Sequence, residues 1–257
     1  DTSGQTIIET FSNLSFSCGF ILLTYHYHSK KRQMIALGAV MLAFLLAMIR
    51  ARRGLLLMYF EIIFFSYVLF IFRSRLKILV VYLTIFSLLL GALYVSSAYR
   101  PQNNKLYGYL LNRGDEDTRS VVEEYVHDDM KTKDWIFGRG IKGEYFAPNI
   151  EVDLPTNYRS NIETGYEQTL LKGGLISLCL FLLIAVPATI NGIFFSKNTL
   201  SKVAGIWILM SIINSYPSTV NAFTLQYLLV WISIGICYSR AIRKMSENKI
   251  KEIFQSL

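Results

Sequence analysis

Three arginines fall within four residues, Arg50-Ala51-Arg52-Arg53, between two strongly apolar segments. A guanidinium is a planar fork that meets two oxygens of a phosphate at once, so such a run suits a phosphate or pyrophosphate. Headgroup phosphates at a membrane surface would attract it as well. Further along, Arg119 precedes Glu123 by about one helical turn, the spacing of a plain i,i+4 pair on a solvated face. Gly138-Arg139-Gly140 opens a G-x-G-x-x-G run ending at Gly143. No βαβ pattern surrounds it, which excludes the dinucleotide fingerprint. What remains is a tight turn, either plain or with its N–H groups and Arg139 toward an anion. Glu163, shortly before another apolar block, is the best-placed carboxylate for taking a proton, and Lys172 is a second cation or a snorkelling side chain.

These residues belong to an apolar chain. Of its 257 residues 53% are hydrophobic and only 17% charged, against about 25% charged in soluble domains. The apolar residues come in long blocks, the pattern of an all-α polytopic membrane protein. The net charge of +8 arises from basic residues at the ends of those blocks. That distribution is topogenic, so no nucleic-acid partner is expected. Cys18, Cys179 and Cys237 lie inside apolar blocks without disulfide or metal-ligand spacing and read as packing residues. His26 and His28 stand at the edge of the first block, where interfacial solvation accounts for them.

About seven spans are expected, at 7–25, 34–49, 54–72, 78–98, 168–190, 203–216 and 223–238, with a kink at Pro187. Lys30-Lys31-Arg32, Arg73 to Lys77, Lys197 with Lys202, and the tail from Arg240 follow alternate spans and can share the cytoplasmic side. The resulting organisation is four spans in 1–98, an extracytoplasmic loop region at 99–167, three spans in 168–239 and a basic cytoplasmic tail at 240–257. The loop region holds thirteen acidic and nine basic residues, and its helical spacing of Val121, Val122, Tyr125, Val126 and Met130 predicts a short amphipathic helix over 118–130. Arg50–Arg53 falls on the outer side, against the charge rule. Parity also places residue 1 outside without an initiator Met or leader, so the sequence reads as the continuation of upstream spans.

Three features together resemble the bacterial O-antigen ligase and O-antigen polymerase superfamily, polytopic glycosyltransferases of the type-C kind. They are Arg53-Gly54 opening a span, an arginine-led helix at Arg119 before Gly138-Arg139-Gly140, and Glu163-Thr164-Gly165-Tyr166 leading into a span at Lys172-Gly-Gly-Leu175. The resemblance covers most of 34–239. It implies a donor glycan on undecaprenyl pyrophosphate at the outer face of the bacterial inner membrane, and an acceptor glycan or lipid A core. It places Arg53 and Arg119 on the leaving pyrophosphate, with Arg50, Arg139, Tyr166 and Lys172 on pyrophosphate or glycan. Neither a cofactor nor a metal is implied. Many ligase members carry His-Asn where this chain has Glu163-Thr164, so Glu163 takes the place of the base, with Asp153, Glu167 and His127 as fallbacks. A polymerase is expected ahead of a ligase, and a lipid-linked oligosaccharide flippase is the alternative. The one clear acid inside a span, Glu61, is the feature such a transporter would use.

Overall fold

Long runs of Leu, Ile, Phe and Ala with few breakers form helices here, because in lipid a helix satisfies its own backbone hydrogen bonds. The computed structural model describes residues 2–49, 53–73, 82, 86, 89, 118–148, 157–218 and 224–256. The apolar helices are α1 (Thr2–Leu23), α2 (Lys30–Ile49), α3 (Arg53–Arg73), α6 (Gly165–Phe194), α7 (Thr199–Asn214) and α8 (Leu225–Tyr238). Between α3 and α6 stand α4 (Thr118–Asp129), α5 (Thr132–Phe137) and a two-residue antiparallel pair, β1 (Tyr145–Phe146) with β2 (Tyr158–Arg159). Short helices α9 (Arg240–Lys244) and α10 (Glu247–Gln255) follow α8.

The protein is a mostly helical membrane protein. Lys30–Met48, Gly54–Ile71 and Gly165–Phe194 are long and apolar enough to cross a bilayer, while Phe11–Leu23, Thr199–Asn214 and Leu225–Tyr238 are shorter apolar helices. The fourth expected span, 78–98, lies outside the described residues except for Tyr82, Phe86 and Leu89, which are helical and exposed. Large apolar side chains such as Met34, Leu42, Phe60, Leu183 and Phe194 face outward, where lipid is the compatible neighbour.

The bundle closes on Trp207 of α7, buried against Phe16 and Phe20 of α1 at ring distances of 5.1 and 5.4 Å. Gly192 and Gly205 let α6 and α7 approach closely: a Cβ on Gly192 would lie 2.9 Å from the Gly205 Cα. Small residues commonly serve this purpose between membrane helices.

The first-span turn, residues 197–199 and the tail meet at one end; Arg73 to Lys77 lies outside the described residues apart from the backbone of Arg73. Glu247 of α10 accepts from His26 Nε2 (2.6 Å), the Tyr27 hydroxyl (2.8 Å) and the Thr199 N–H (2.9 Å). His26 is therefore a half-buried latch to the tail and not simply a solvated interfacial residue. His28 instead pairs with the Thr24 hydroxyl at 3.1 Å. Asn198 caps α7 by accepting from the Ser201 N–H and donates to the Ile242 carbonyl at 2.7 Å, fixing the tail to the same end. Tyr25 lies 6.3 Å from Phe70, near the end of α3. At the opposite end Gly54 abuts the Pro217 carbonyl, and Gly165 abuts the carbonyls of Ser215 and Ser218.

α6 carries non-helical backbone at Gly174 (φ 65°, ψ −173°), whereas Pro187, where a kink was expected, stays within helical backbone. In the turn before Pro187 the Ile184 carbonyl accepts the Tyr238 hydroxyl from α8 (3.0 Å), the kind of neighbour that lets a span tolerate proline. Gly205 of α7 abuts Thr189 and Ile193, whereas Tyr166 bonds to Ser215 and Ile212. A straight helix from 166 to 189 would cover roughly 35 Å, against roughly 15 Å between 205 and 215 on α7. The Gly174 break absorbs this difference: residues 165–173 fold back across the end of α7. Residues 175–194, about 30 Å of helix, then match a bilayer core.

Candidate functional site

The outer module is built on the Gly174 break. Interrupting α6 leaves the carbonyls of Leu171 and Lys172 without helical donors. The Arg139 N–H donates to Leu171 O (2.8 Å) and the Gly140 N–H to Lys172 O (2.9 Å). Gly138 adopts φ 70°, ψ −178°, and a Cβ there would meet the Lys172 carbonyl at 2.5 Å. A Cβ on Gly174 would lie 2.2 Å from Ile136 O. The Gly-x-Gly turn is therefore the plug of a broken helix. The Arg139 and Gly140 N–H groups are used up by it.

Arg139 is likewise engaged within the protein. Its Nε and Nη2 donate to Asp134 Oδ2, each at 3.0 Å, Nη1 donates to Asp129 Oδ2 and the Glu144 carbonyl, and Nη2 also donates to the Asp129 carbonyl. These contacts occupy all five N–H groups of a guanidinium, so the expectation that Arg139 binds pyrophosphate is replaced by a clamp joining α4, α5 and the turn before β1. Burial disfavours ionisation of Asp134, but hydrogen bonds from Arg139 and the Lys131 N–H outweigh it and hold the carboxyl below its ordinary range. A depressed carboxylate adds stability that is complete above the unfolded-state pKa of about 3.9 and is lost as pH falls through the folded value. Asp134's contribution to the clamp is therefore complete at neutral pH and is lost on acidification through its depressed value. Arg139→Ala leaves two carboxylates facing each other at 20–30% exposure, and a loss of about 2–3 kcal/mol is expected in thermal unfolding. Arg139→Lys should recover little, because one ammonium cannot fill the fork.

Lys172 and Tyr166 also turn to the protein. Lys172 Nζ donates to Gly143 O at 2.7 Å, closing the loop that Arg139 clamps, and is not a snorkelling side chain. The Tyr166 hydroxyl donates to Ile212 O and its N–H to Ser215 O (3.1 Å), docking the folded-back segment on α7. Both were expected at substrate; in this structure they are positioning contacts. The predicted amphipathic helix is α4, whose Val126 and Met130 pack with Tyr145, Ala147, Ile162 and Leu171.

Arg53 is the first residue of α3 and Arg119 the second of α4; their side chains, and all of Arg50, Arg52 and the fallback Asp153, lie outside the described residues. A chain of contacts nevertheless links the two helices at one end. Gly54 meets Pro217, Ser215 and Ser218 meet Gly165, and Tyr166 docks beside them. Next in sequence, Glu167 Oε1 lies 3.5 Å from His127 Nε2 on α4, two turns beyond Arg119. Glu163 is exposed at the entry to this segment.

Sequence spacing could not pair His127 with Glu167, forty residues apart. The His127 ring stands edge-on to Trp135 at 4.9 Å, and Glu123 adds negative charge beside Glu167. Within the bundle, Glu61 is buried and its Oε2 accepts from Asn214 Nδ2 at 2.7 Å. Among the described residues no three His, Cys, Asp or Glu side chains converge to hold a metal ion. Comparison with protein-family models, curated proteins and solved structures finds no match for this chain.

Proposed function

We propose that this chain is a multi-pass glycosyltransferase of bacterial surface-polysaccharide assembly, acting at the outer face of the inner membrane. It spans the membrane about seven times and takes glycan from an undecaprenyl-pyrophosphate donor to an acceptor glycan. An O-antigen or capsule polymerase is favoured over a ligase to lipid A core. The supporting observation is the contact chain at the bundle end opposite the basic tail, which runs from Gly54, beside Arg53, through Pro217 and Gly165 to His127, two turns beyond Arg119 on α4. Negative charge grows on the leaving pyrophosphate as the anomeric bond breaks, and preorganised guanidinium groups stabilise it. The full-length protein in vesicles, supplied with lipid-linked donor and either acceptor, tests this. Transfer that persists unchanged in both Arg53→Ala and Arg119→Ala sinks it.

A lipid-linked oligosaccharide transporter is the second reading, supported by the buried Glu61–Asn214 pair between α3 and α7. Glu61→Gln separates the two. It keeps a hydrogen-bonding side chain beside Asn214, so glycan transfer should stay near wild type, whereas a transporter relying on that acid should lose flux.

A further inference from the structure

We propose that His127 is the catalytic base that takes the acceptor's proton, with Glu167 as its positioning residue. This rests on the glycosyl-transfer reading and assigns the proton to a group other than Glu163.

The geometry is that of an oriented imidazole. Glu167 sits on the folded-back start of α6 with its side chain only 13% exposed, and its Oε1 faces His127 Nε2 at 3.5 Å. Its other oxygen, Oε2, is buried and has no hydrogen-bond partner among the described residues, so His127 is the polar group among them that this carboxylate addresses. Trp135 meets the ring edge-on and limits its rotation. The His127 side chain is still 59% exposed. A proton on Nε2, held toward Glu167, leaves the Nδ1 lone pair for a substrate hydroxyl, since the bond made by one ring nitrogen sets the tautomer of the other. Glu163, in contrast, lies on the approach to α6, four residues before the carboxylate that holds the ring.

The step balances without a co-reactant beyond donor and acceptor. His127 Nδ1 takes the proton of an acceptor sugar hydroxyl while that oxygen forms a bond to the anomeric carbon of the lipid-linked glycan. The bond from that carbon to the pyrophosphate oxygen breaks, and its electron pair leaves with the polyprenyl pyrophosphate. The imidazolium then faces Glu167, with Glu123 beside it, and later gives its proton to water. Arg119, at the register position two turns earlier on α4, puts the leaving-group cation and the base on one helix.

The experiment uses the full-length protein in proteoliposomes with polyprenyl-pyrophosphate-linked glycan and a sugar acceptor. Position-specific base catalysis is worth about 10²–10⁴-fold. His127→Ala should lower kcat at least a hundredfold with the donor KM within a few fold of wild type, and added imidazole should restore part of the rate. Glu167→Gln should lower kcat about tenfold without imidazole rescue, and Glu167→Asp should recover part of it. Wild-type kcat in His127→Ala overturns the proposal, as does a loss carried by Glu163→Gln in its place. A dead His127→Ala that imidazole does not revive and that melts well below wild type marks a structural histidine, which also overturns it. These results leave the effects of Arg53→Ala and Arg119→Ala standing. Absence of wild-type transfer to either acceptor removes the glycosyl-transfer reading and this one with it.

Discussion

Gly174→Ala should detach the outer module from the bundle. Gly174 sits at φ 65°, ψ −173°, a region essentially restricted to glycine and worth about 1–3 kcal/mol of strain for other residues. The added methyl would also stand 2.2 Å from Ile136 O and 2.6 Å from the Gly138 nitrogen. Backbone cannot yield as a flexible side chain can, so the total expected loss is about 3–5 kcal/mol. Gly138→Ala meets the same interface from the other side, with Lys172 O at 2.5 Å. Because both act on one contact, the double variant should cost little more than the worse single one. Gly38 is the control, since a Cβ there meets nothing within 4 Å and the residue lies inside α2; Gly38→Ala should be neutral or stabilising by up to about 1 kcal/mol. Hydrogen exchange gives a local readout. The Arg139 and Gly140 amides, protected by Leu171 O and Lys172 O, should exchange quickly in Gly174→Ala. Continued protection would show that the plug forms without the glycine.

Arg53→Ala and Arg119→Ala should each reduce glycan transfer by about 10²–10³-fold, the scale of removing one preorganised donor from a developing oxyanion. The lysine variants carry the sharper information. If arginine acts through its fork on two phosphate oxygens, Arg53→Lys restores charge and only part of the rate. If the cluster merely greets lipid headgroups, alanine and lysine variants both stay near wild type, and anionic lipid content changes all three proteins alike. Arg139→Ala makes a useful contrast. Its donors are held by Asp129, Asp134 and Glu144, so its loss should appear in stability before it appears in donor affinity.

The apolar blocks were legible because a span is a local property: a run of side chains long enough for the bilayer declares itself whatever lies nearby. α2 and α3 appear close to their expected bounds. The helix over 118–130 was legible for a similar reason, since Val122, Val126 and Met130 recur at the period that brings them onto one buried face. The grouping of basic connections followed from parity and charge alone. Gly174 was not legible. It lies in Lys172-Gly-Gly-Leu175, inside an apolar stretch that reads as unbroken span, and only a partner supplying N–H groups to the freed carbonyls makes a break there stable.

The roles of the charged residues divide the same way. Sequence by itself determined that this is a helical membrane protein and that arginines stand at the start of α3 and in α4. Tertiary structure decided what the polar groups do: that Arg139 binds Asp129 and Asp134, that Lys172 returns to Gly143, and that His127 meets Glu167. The physical reason is range. Hydrophobic periodicity is written along a few turns of chain, whereas a buried donor is defined by its acceptor, and here the acceptor of the Arg139 N–H is Leu171, thirty-two residues away on another helix.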